Sequence, residues 1–178
     1  MTALRRLASD EFDVETFGEL RSMVESAWPP GQFTPEDWEH ALGGAHFVVE
    51  DRGEIVAHAS VVARRLESAD LTLATGYVEA VATRPGRQGE GHGSSVMRAA
   101  SEHVREAYEL GALSTGRPTF YERLGWVPWR GPTSVRARGV VTRTPEEDGA
   151  VLVLLTPASP ALDLDRDLIC DWRRGDVW

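Results

Sequence analysis

The chain has 178 residues, 42% of them hydrophobic, and a formal net charge of -9, enough apolar material for one sizeable core and therefore for a single domain, residues 1-178. The acidic balance disfavours nucleic acid or an anionic membrane as partner and suits a cationic small molecule. Cys170 is the only cysteine, which excludes a disulfide framework and a CxxC metal site; with no apolar run of about 18 residues and no leader pattern, a cytoplasmic location is expected.

Val14, Phe17, Leu20, Val24 and Ala27 recur at helical spacing behind Asp13, a good cap, and Pro29-Pro30-Gly31 ends that first helix. Thr34-Pro35-Glu36-Asp37 opens a second helix, with Thr34 as cap and two carboxylates facing the positive end of its dipole, and Gly43-Gly44 stops it. Two β-rich runs, 46–50 and 55–65, flank Asp51-Arg52-Gly53-Glu54 and predict a hairpin. A third strand is predicted over 71–82. After a glycine-rich turn, Val96, Met97, Ala100, Val104, Ala107 and Tyr108 keep helical period up to Gly111. Short strands near 112–114, 127–129, 134–140 and 150–155, a helix around 119–124 and an irregular stretch from 162 to 178 complete the expectation. The order of elements implies an α+β fold with a mixed, mostly antiparallel sheet flanked by helices.

Strand, glycine turn and helix form the central unit. Successive N–H groups at a helix start make an anion site, and glycines let phosphate approach the main chain, so Gln88-Gly89-Glu90-Gly91-His92-Gly93 has the character of a pyrophosphate turn. A P-loop is excluded because no Lys-Ser/Thr follows, and a dinucleotide fingerprint because Gly91-x-Gly93 is followed by Val96 where GxGxxG needs glycine.

The turn fits the Q/RxxGxG/A pattern that follows the fourth strand of the GCN5-related N-acetyltransferase (GNAT) superfamily. A longer ordered series resembles the aminoglycoside 2'-N-acetyltransferases of that superfamily: Asp37-Trp38-Glu39-His40, Gly43-Gly44, Gly76-Tyr77-Val78-Glu79, Leu110-Gly111-Ala112-Leu113-Ser114, Gly125-Trp126, Gly131-Pro132-Thr133-Ser134, Thr142-Arg143-Thr144-Pro145, Cys170-Asp171-Trp172-Arg173 and Gly175-Asp176-Val177-Trp178. The match covers nearly everything after residue 10.

The resemblance implies acetyl-coenzyme A as co-substrate. It implies a bulged strand whose Val81, Ala82 and Thr83 bond the pantetheine arm, with Gln88, Gly89, Glu90, Gly91, His92 and Gly93 on the pyrophosphate. In this reading the Val81 N–H faces the thioester carbonyl as oxyanion donor, Glu79 takes the proton of the substrate ammonium directly or through a water, and Tyr121 protonates the leaving thiolate. The implied aminoglycoside contacts are Gln32, Asp37, Glu79, Ala80, Ser114, Glu146, Glu147, Asp148, Asp176 and Trp178, the last two in a tail that contributes to the substrate site.

Two departures bear on the substrate and the cofactor. Gln32 stands where the family carries Asp, which removes one ammonium contact, and the segment from Ser114 to Tyr121 is short. Another cellular amine, such as a cell-wall amino sugar or a polyamine, is therefore the alternative acceptor. A non-catalytic binder of cationic ligands is the alternative from another class. The five histidines show no metal-ligand spacing, so no metal is expected and each reads as a surface or internally satisfied ring. A homodimer is implied by the resemblance alone.

Overall fold

The first helix forms where its cap predicts. Asp13 Oδ1 accepts the Thr16 N–H at 2.8 Å, and α1 runs Val14–Ser26. Leu20, Met23 and Val24 form its buried stripe, while Val14, at the start of the apolar series, lies exposed. The second helix, α2, spans Pro35–His40 behind a capping box in which Thr34 Oγ1 accepts the Asp37 N–H and Asp37 Oδ2 accepts the Thr34 N–H.

The computed structural model describes all residues, Met1–Trp178, in ten strands and four helices. Beyond α1 and α2 these are β1 (Thr2–Ala8), β2 (Ala45–Asp51), β3 (Glu54–Ser68), β4 (Leu71–Thr83), α3 (His92–Ala107), β5 (Leu110–Ser114), α4 (Pro118–Glu122), β6 (Val127–Pro128), β7 (Thr133–Ala137), β8 (Val140–Arg143), β9 (Val151–Leu155) and β10 (Leu168–Asp171). Strand, mixed sheet and flanking helices make the α+β fold that the element order implied. No helix is long and apolar enough to cross a membrane.

The chain divides into two compact units, residues 1–62 with 78–102, and residues 63–77 with 103–178. In the first, β1 pairs antiparallel with β2 and β2 with the first part of β3. The β2–β3 turn places Arg52 at φ 54 and Gly53 at φ 83, the two left-handed residues that a tight hairpin of this twist needs. Leu20, Met23, Val24, Trp38, Ala41, Val48, Ile55 and Ala82 form one buried cluster of this unit.

β1 was not predicted. Six of its seven residues are exposed, so no apolar alternation marks it, and backbone pairing with the Thr2–Asp51 and Arg5–Glu50 side-chain bonds holds it to β2. Its presence makes Leu71–Thr83 the fourth strand.

The second unit holds strands in the order β6-β9-β5-β4-β3-β10-β7-β8. β4 and β5 pair in parallel, with Gly76 opposite Gly111. A Cβ on Gly76 would lie 2.7 Å from Tyr108 and 2.9 Å from Val104, so the end of α3 and the residue after it pack directly on bare backbone. The single strand predicted over 134–140 is a hairpin, β7 and β8, which Arg138 and Gly139 break at φ 50 and 82. The stretch predicted as irregular contains β10, parallel to β7 and antiparallel to β3.

Candidate active site

In the first unit the glycine turn leads into α3 as expected. Gly89 and Gly91 have φ of 83 and 87, and a Cβ at either would meet nothing within 4 Å. Conformation requires glycine there, and the space above the turn stays open for a ligand. Ser95 N–H bonds to the Gly91 carbonyl at 3.0 Å, so the helix begins within the turn and its first N–H groups point out of it.

The residue before the turn anchors it. Arg87 donates from Nη2 to Asp51 Oδ2 at 2.8 Å and from Nε and Nη2 to Glu90 at 2.9 to 3.1 Å. Thr2 Oγ1 donates to the other Asp51 oxygen at 2.7 Å, and His92 Nε2 lies 3.1 Å from Glu90 Oε2. The Thr2 and Arg87 hydrogen bonds hold the Asp51 carboxyl down at about 2, and Arg87 followed by His92 lowers that of Glu90. Glu90 thus stays ionised and shares the Arg87 guanidinium with Asp51. The sequence reading missed Arg87 and Asp51, because their pairing depends on a strand and a turn 36 residues apart.

Glu79, Ala80 and Val81 are half-buried on β4. Ala80 has φ 50, a left-handed conformation unusual for a residue with a Cβ, and it kinks the strand between Glu79 and Val81. Side chains of β3 take up the carbonyls at the kink. Ser60 Oγ donates to Glu79 O at 3.3 Å, and His58 Nδ1 lies 2.8 Å from Ala80 O. His58 Nε2 is in turn 2.9 Å from His46 Nδ1, and His46 Nε2 is 2.8 Å from Ser9 Oγ, which accepts the Gly43 N–H at 2.9 Å.

His46 and His58 are both fully buried. Burial lowers the first to about 4; burial followed by the neighbouring ring lowers the second to about 3. Phe12 packs edge-on against His46, and the Trp38 ring faces His58 at 6.3 Å. Unfolded, each ring takes a proton near pH 6.5. Folded, both stay neutral well below that, so the unfolded chain binds more protons and stability falls as pH drops through 6.5 toward 4. The urea midpoint is therefore expected to be lower at pH 5 than at pH 7. Glu147, which burial holds above the ordinary carboxylate range, acts in the opposite sense. A midpoint that rises or stays level on going to pH 5 would contradict the buried neutral pair.

In the second unit, α4 carries Tyr121. Its carbonyl accepts the N–H groups of Leu124 and Trp126 at 2.8 and 3.2 Å, which closes the helix, and Phe120 stands edge-on to its ring. Burial pushes the phenol up to about 12, so it is protonated at neutral pH.

Ser114, at the end of β5, donates to Glu147 Oε2 at 2.7 Å. Burial first, and then the charges of Asp176 and Glu146, hold Glu147 above the ordinary carboxylate range in spite of that bond. Asp148 turns the other way. It accepts Thr133 N–H and Oγ1 at 2.8 and 3.0 Å and Arg143 Nη2 at 2.6 Å, so both its oxygens are engaged in fixing the 145–148 turn.

Trp178 is buried, its indole N–H given to Thr144 Oγ1 at 2.9 Å, while Asp176 Oδ1 accepts its main-chain N–H at 3.1 Å. Arg173 bonds the carbonyls of both residues at 2.7 and 3.1 Å. Asp37 is likewise engaged, in the α2 capping box, and Gln32 is exposed. Cys170 is buried, and burial pushes its thiol up to about 11. No group of three or more His, Cys, Asp or Glu side chains is placed to hold a metal ion.

Residues 21–128 match the family model described as an acetyltransferase (GNAT) domain. The chain is 47% identical, over 98% of its length and 91% of the other, to an aminoglycoside 2'-N-acetyltransferase of Mycolicibacterium fortuitum. Its fold matches a GCN5-related N-acetyltransferase from Kribbella flavida with a TM-score of 0.59 at 20% identity, over 74% of this chain and 34% of that one, so it spans about a third of that longer protein. It also matches a GNAT family acetyltransferase from Brucella melitensis, solved in complex with acetyl-CoA, with a TM-score of 0.57 at 19% identity over 92% of this chain and 94% of that one. A kinked fourth strand, a glycine turn opening α3, the family model across most of the chain and a relative of near-equal length together identify this protein as a member of the GNAT acetyltransferase family.

Proposed function

We propose that the protein transfers the acetyl group of acetyl-CoA to the 2'-amino group of an aminoglycoside by direct attack, acting as one acetyltransferase domain. The observation that carries this reading is the 47% identity, across 98% of the chain, to an aminoglycoside 2'-N-acetyltransferase.

Glu79 accepts the proton of the bound ammonium, directly or through one water. The freed amine attacks the thioester carbon, and the Val81 N–H stabilises the oxyanion that forms. The C–S bond then breaks, the thiolate of coenzyme A takes the phenolic proton of Tyr121, which burial keeps protonated at neutral pH, and the surplus proton on the new amide nitrogen passes to the phenolate, directly or through water. The pantetheine arm bonds the main chain at Val81, Ala82 and Thr83, and the pyrophosphate lies on the turn from Gln88 to Gly93.

Recognition of several ammonium groups falls to carboxylates. Glu147 and Asp176 are the strongest candidates, because burial first, and then the charges of Asp176 and Glu146, raise Glu147, and an ammonium beside it favours the ionised form. Purified protein is expected to release free thiol from acetyl-CoA with aminoglycosides that bear a 2'-amino group and not with their 2'-hydroxyl counterparts. Equal silence with both would overturn the proposal. Gln32, neutral and exposed, favours a second reading in which another cellular amine is the acceptor; a panel of amines ranked by kcat/KM separates the two.

The Asp51–Arg87 pair gives a further prediction. Asp51→Asn removes one charge-assisted hydrogen bond beneath the turn, a loss of about 1 kcal/mol, and should raise the KM for acetyl-CoA about fivefold with kcat little changed. Steady-state kinetics at saturating amine checks it. A fall in kcat alone would show that the pair does not act on the cofactor.

A further inference from the structure

The carbonyl oxygen of Ala80 can only accept a hydrogen bond. His58 Nδ1, 2.8 Å away, must therefore carry the ring's proton. A neutral imidazole has one N–H, so His58 Nε2 is an acceptor and His46 Nδ1 must donate to it across 2.9 Å. His46 Nε2 is then an acceptor in turn, and Ser9 Oγ supplies its hydrogen at 2.8 Å while accepting the Gly43 N–H.

Every ring nitrogen in this row is used, and all the bonds run in one direction, from the exposed Gly43 main chain to the kink at Ala80. The strand register makes this possible. His46 pairs with Ser60 and Val48 with His58, so the two histidines are diagonal neighbours on one face of β2 and β3. At the far end Ser60 holds Glu79 O, one residue before the kink.

We propose that His58, backed by His46 and Ser9 and assisted by Ser60, is a positioning residue that holds Ala80 in its left-handed conformation and so sets the direction of the Val81 N–H and the Glu79 side chain. The inference rests on the reading of Glu79 and Val81 given above. A left-handed residue with a Cβ persists only when its surroundings over-determine it. Here the determinant is a hydrogen bond to its own carbonyl from a ring that cannot turn without breaking the row. The two carbonyls at the kink each receive a side-chain donor, Ser60 at Glu79 and His58 at Ala80, of the kind that a buried main-chain oxygen needs.

The test has two arms. In the first, the imidazole ¹⁵N resonances of the wild-type protein report the tautomers, and both rings are expected as Nδ1–H at neutral pH. Either ring found as Nε2–H overturns the proposal.

In the second, His58→Leu is compared with His58→Asn, whose amide can place a donor where Nδ1 stood. His58→Leu should lower kcat by about tenfold or more, with KM for acetyl-CoA changed by less than about threefold because the pyrophosphate turn is untouched, and should displace the Val81 amide resonance. His58→Asn should restore kcat to within about threefold of wild type and return that resonance. A folded His58→Leu with wild-type kcat and an unmoved Val81 resonance, or equal loss in both variants, overturns the proposal. If wild-type protein acetylates no amine, the functional reading fails, while the tautomers and the Val81 resonance still decide the positioning role.

Discussion

Glu79→Gln is expected to lower kcat at neutral pH by about 10²- to 10³-fold while the affinity for acetyl-CoA stays within about threefold of wild type. The substitution keeps the shape of the side chain and removes its ability to take a proton. The substrate amine arrives as an ammonium, whose lone pair is occupied, so attack cannot begin until that proton has gone. Raising the pH supplies free amine from solution, and the deficit of the variant should shrink as pH rises toward the pKa of the 2'-amine. Kinetics of thiol release across pH, with acetyl-CoA binding measured separately, read both effects. A variant that keeps the wild-type pH profile would remove Glu79 from the mechanism, and one that loses cofactor binding would make it a structural residue.

Gly44→Ala is expected to cost more than about 3 kcal/mol of stability, among the larger effects available to a single methyl group. Gly44 precedes β2, and a Cβ there would lie 2.0 Å from the Val61 carbonyl oxygen and 2.8 Å from its carbon. Both are backbone atoms of β3, which cannot swing aside as a flexible side chain would. Relief requires β2 and β3 to part, next to the register that aligns His46 with Ser60. Gly18 supplies the contrasting case. It lies exposed in α1 with nothing within 4 Å of an added Cβ, so Gly18→Ala should gain about 0.5 to 1 kcal/mol from reduced chain entropy. Urea midpoints of the two variants should move in opposite directions. A Gly44→Ala protein as stable as wild type would show that β2 and β3 separate freely at this point.

The elements that were legible in the sequence are those whose signals are local. Asp13 and Thr34 cap their helices as read, and Arg52-Gly53 turns the hairpin, because each depends on residues within four positions. β1 has exposed side chains on nearly every residue and is specified by its pairing with β2, about 45 positions away, so no local pattern announces it. β10 is a four-residue strand placed between β7 and β3, and its partners lie about 35 and about 100 positions back along the chain. Arg138, a non-glycine residue at positive φ, hid the break between β7 and β8, since a long side chain is not the usual mark of a turn.

The candidate site divides in the same way. Gln88 to Gly93 could be read because glycine spacing reflects main-chain conformation directly. The partition of labour among the acidic residues could not: Glu147 against Ser114, Asp148 against Thr133 and Arg143, and Asp37 inside its own cap differ only in where the fold points them. Five histidines without metal-ligand spacing likewise gave no hint that two of them meet inside the sheet.

The one-way row of hydrogen bonds that ends at Ala80 also constrains how this sequence can change by descent. Its last acceptor is a main-chain carbonyl, which no substitution removes. His58 can therefore be exchanged only for another residue that donates at the same point, as asparagine does. His46 has no such fixed neighbour: its ring is needed while position 58 presents a bare acceptor to it. With asparagine at 58 the His46 N–H gains the amide oxygen as its acceptor, so an apolar residue at 46 leaves a buried acceptor without a donor whether position 58 holds histidine or asparagine. The two positions are thus coupled, and lineages that carry histidine or asparagine at 58 beside an apolar residue at 46 should be the rare class among descendants of this fold.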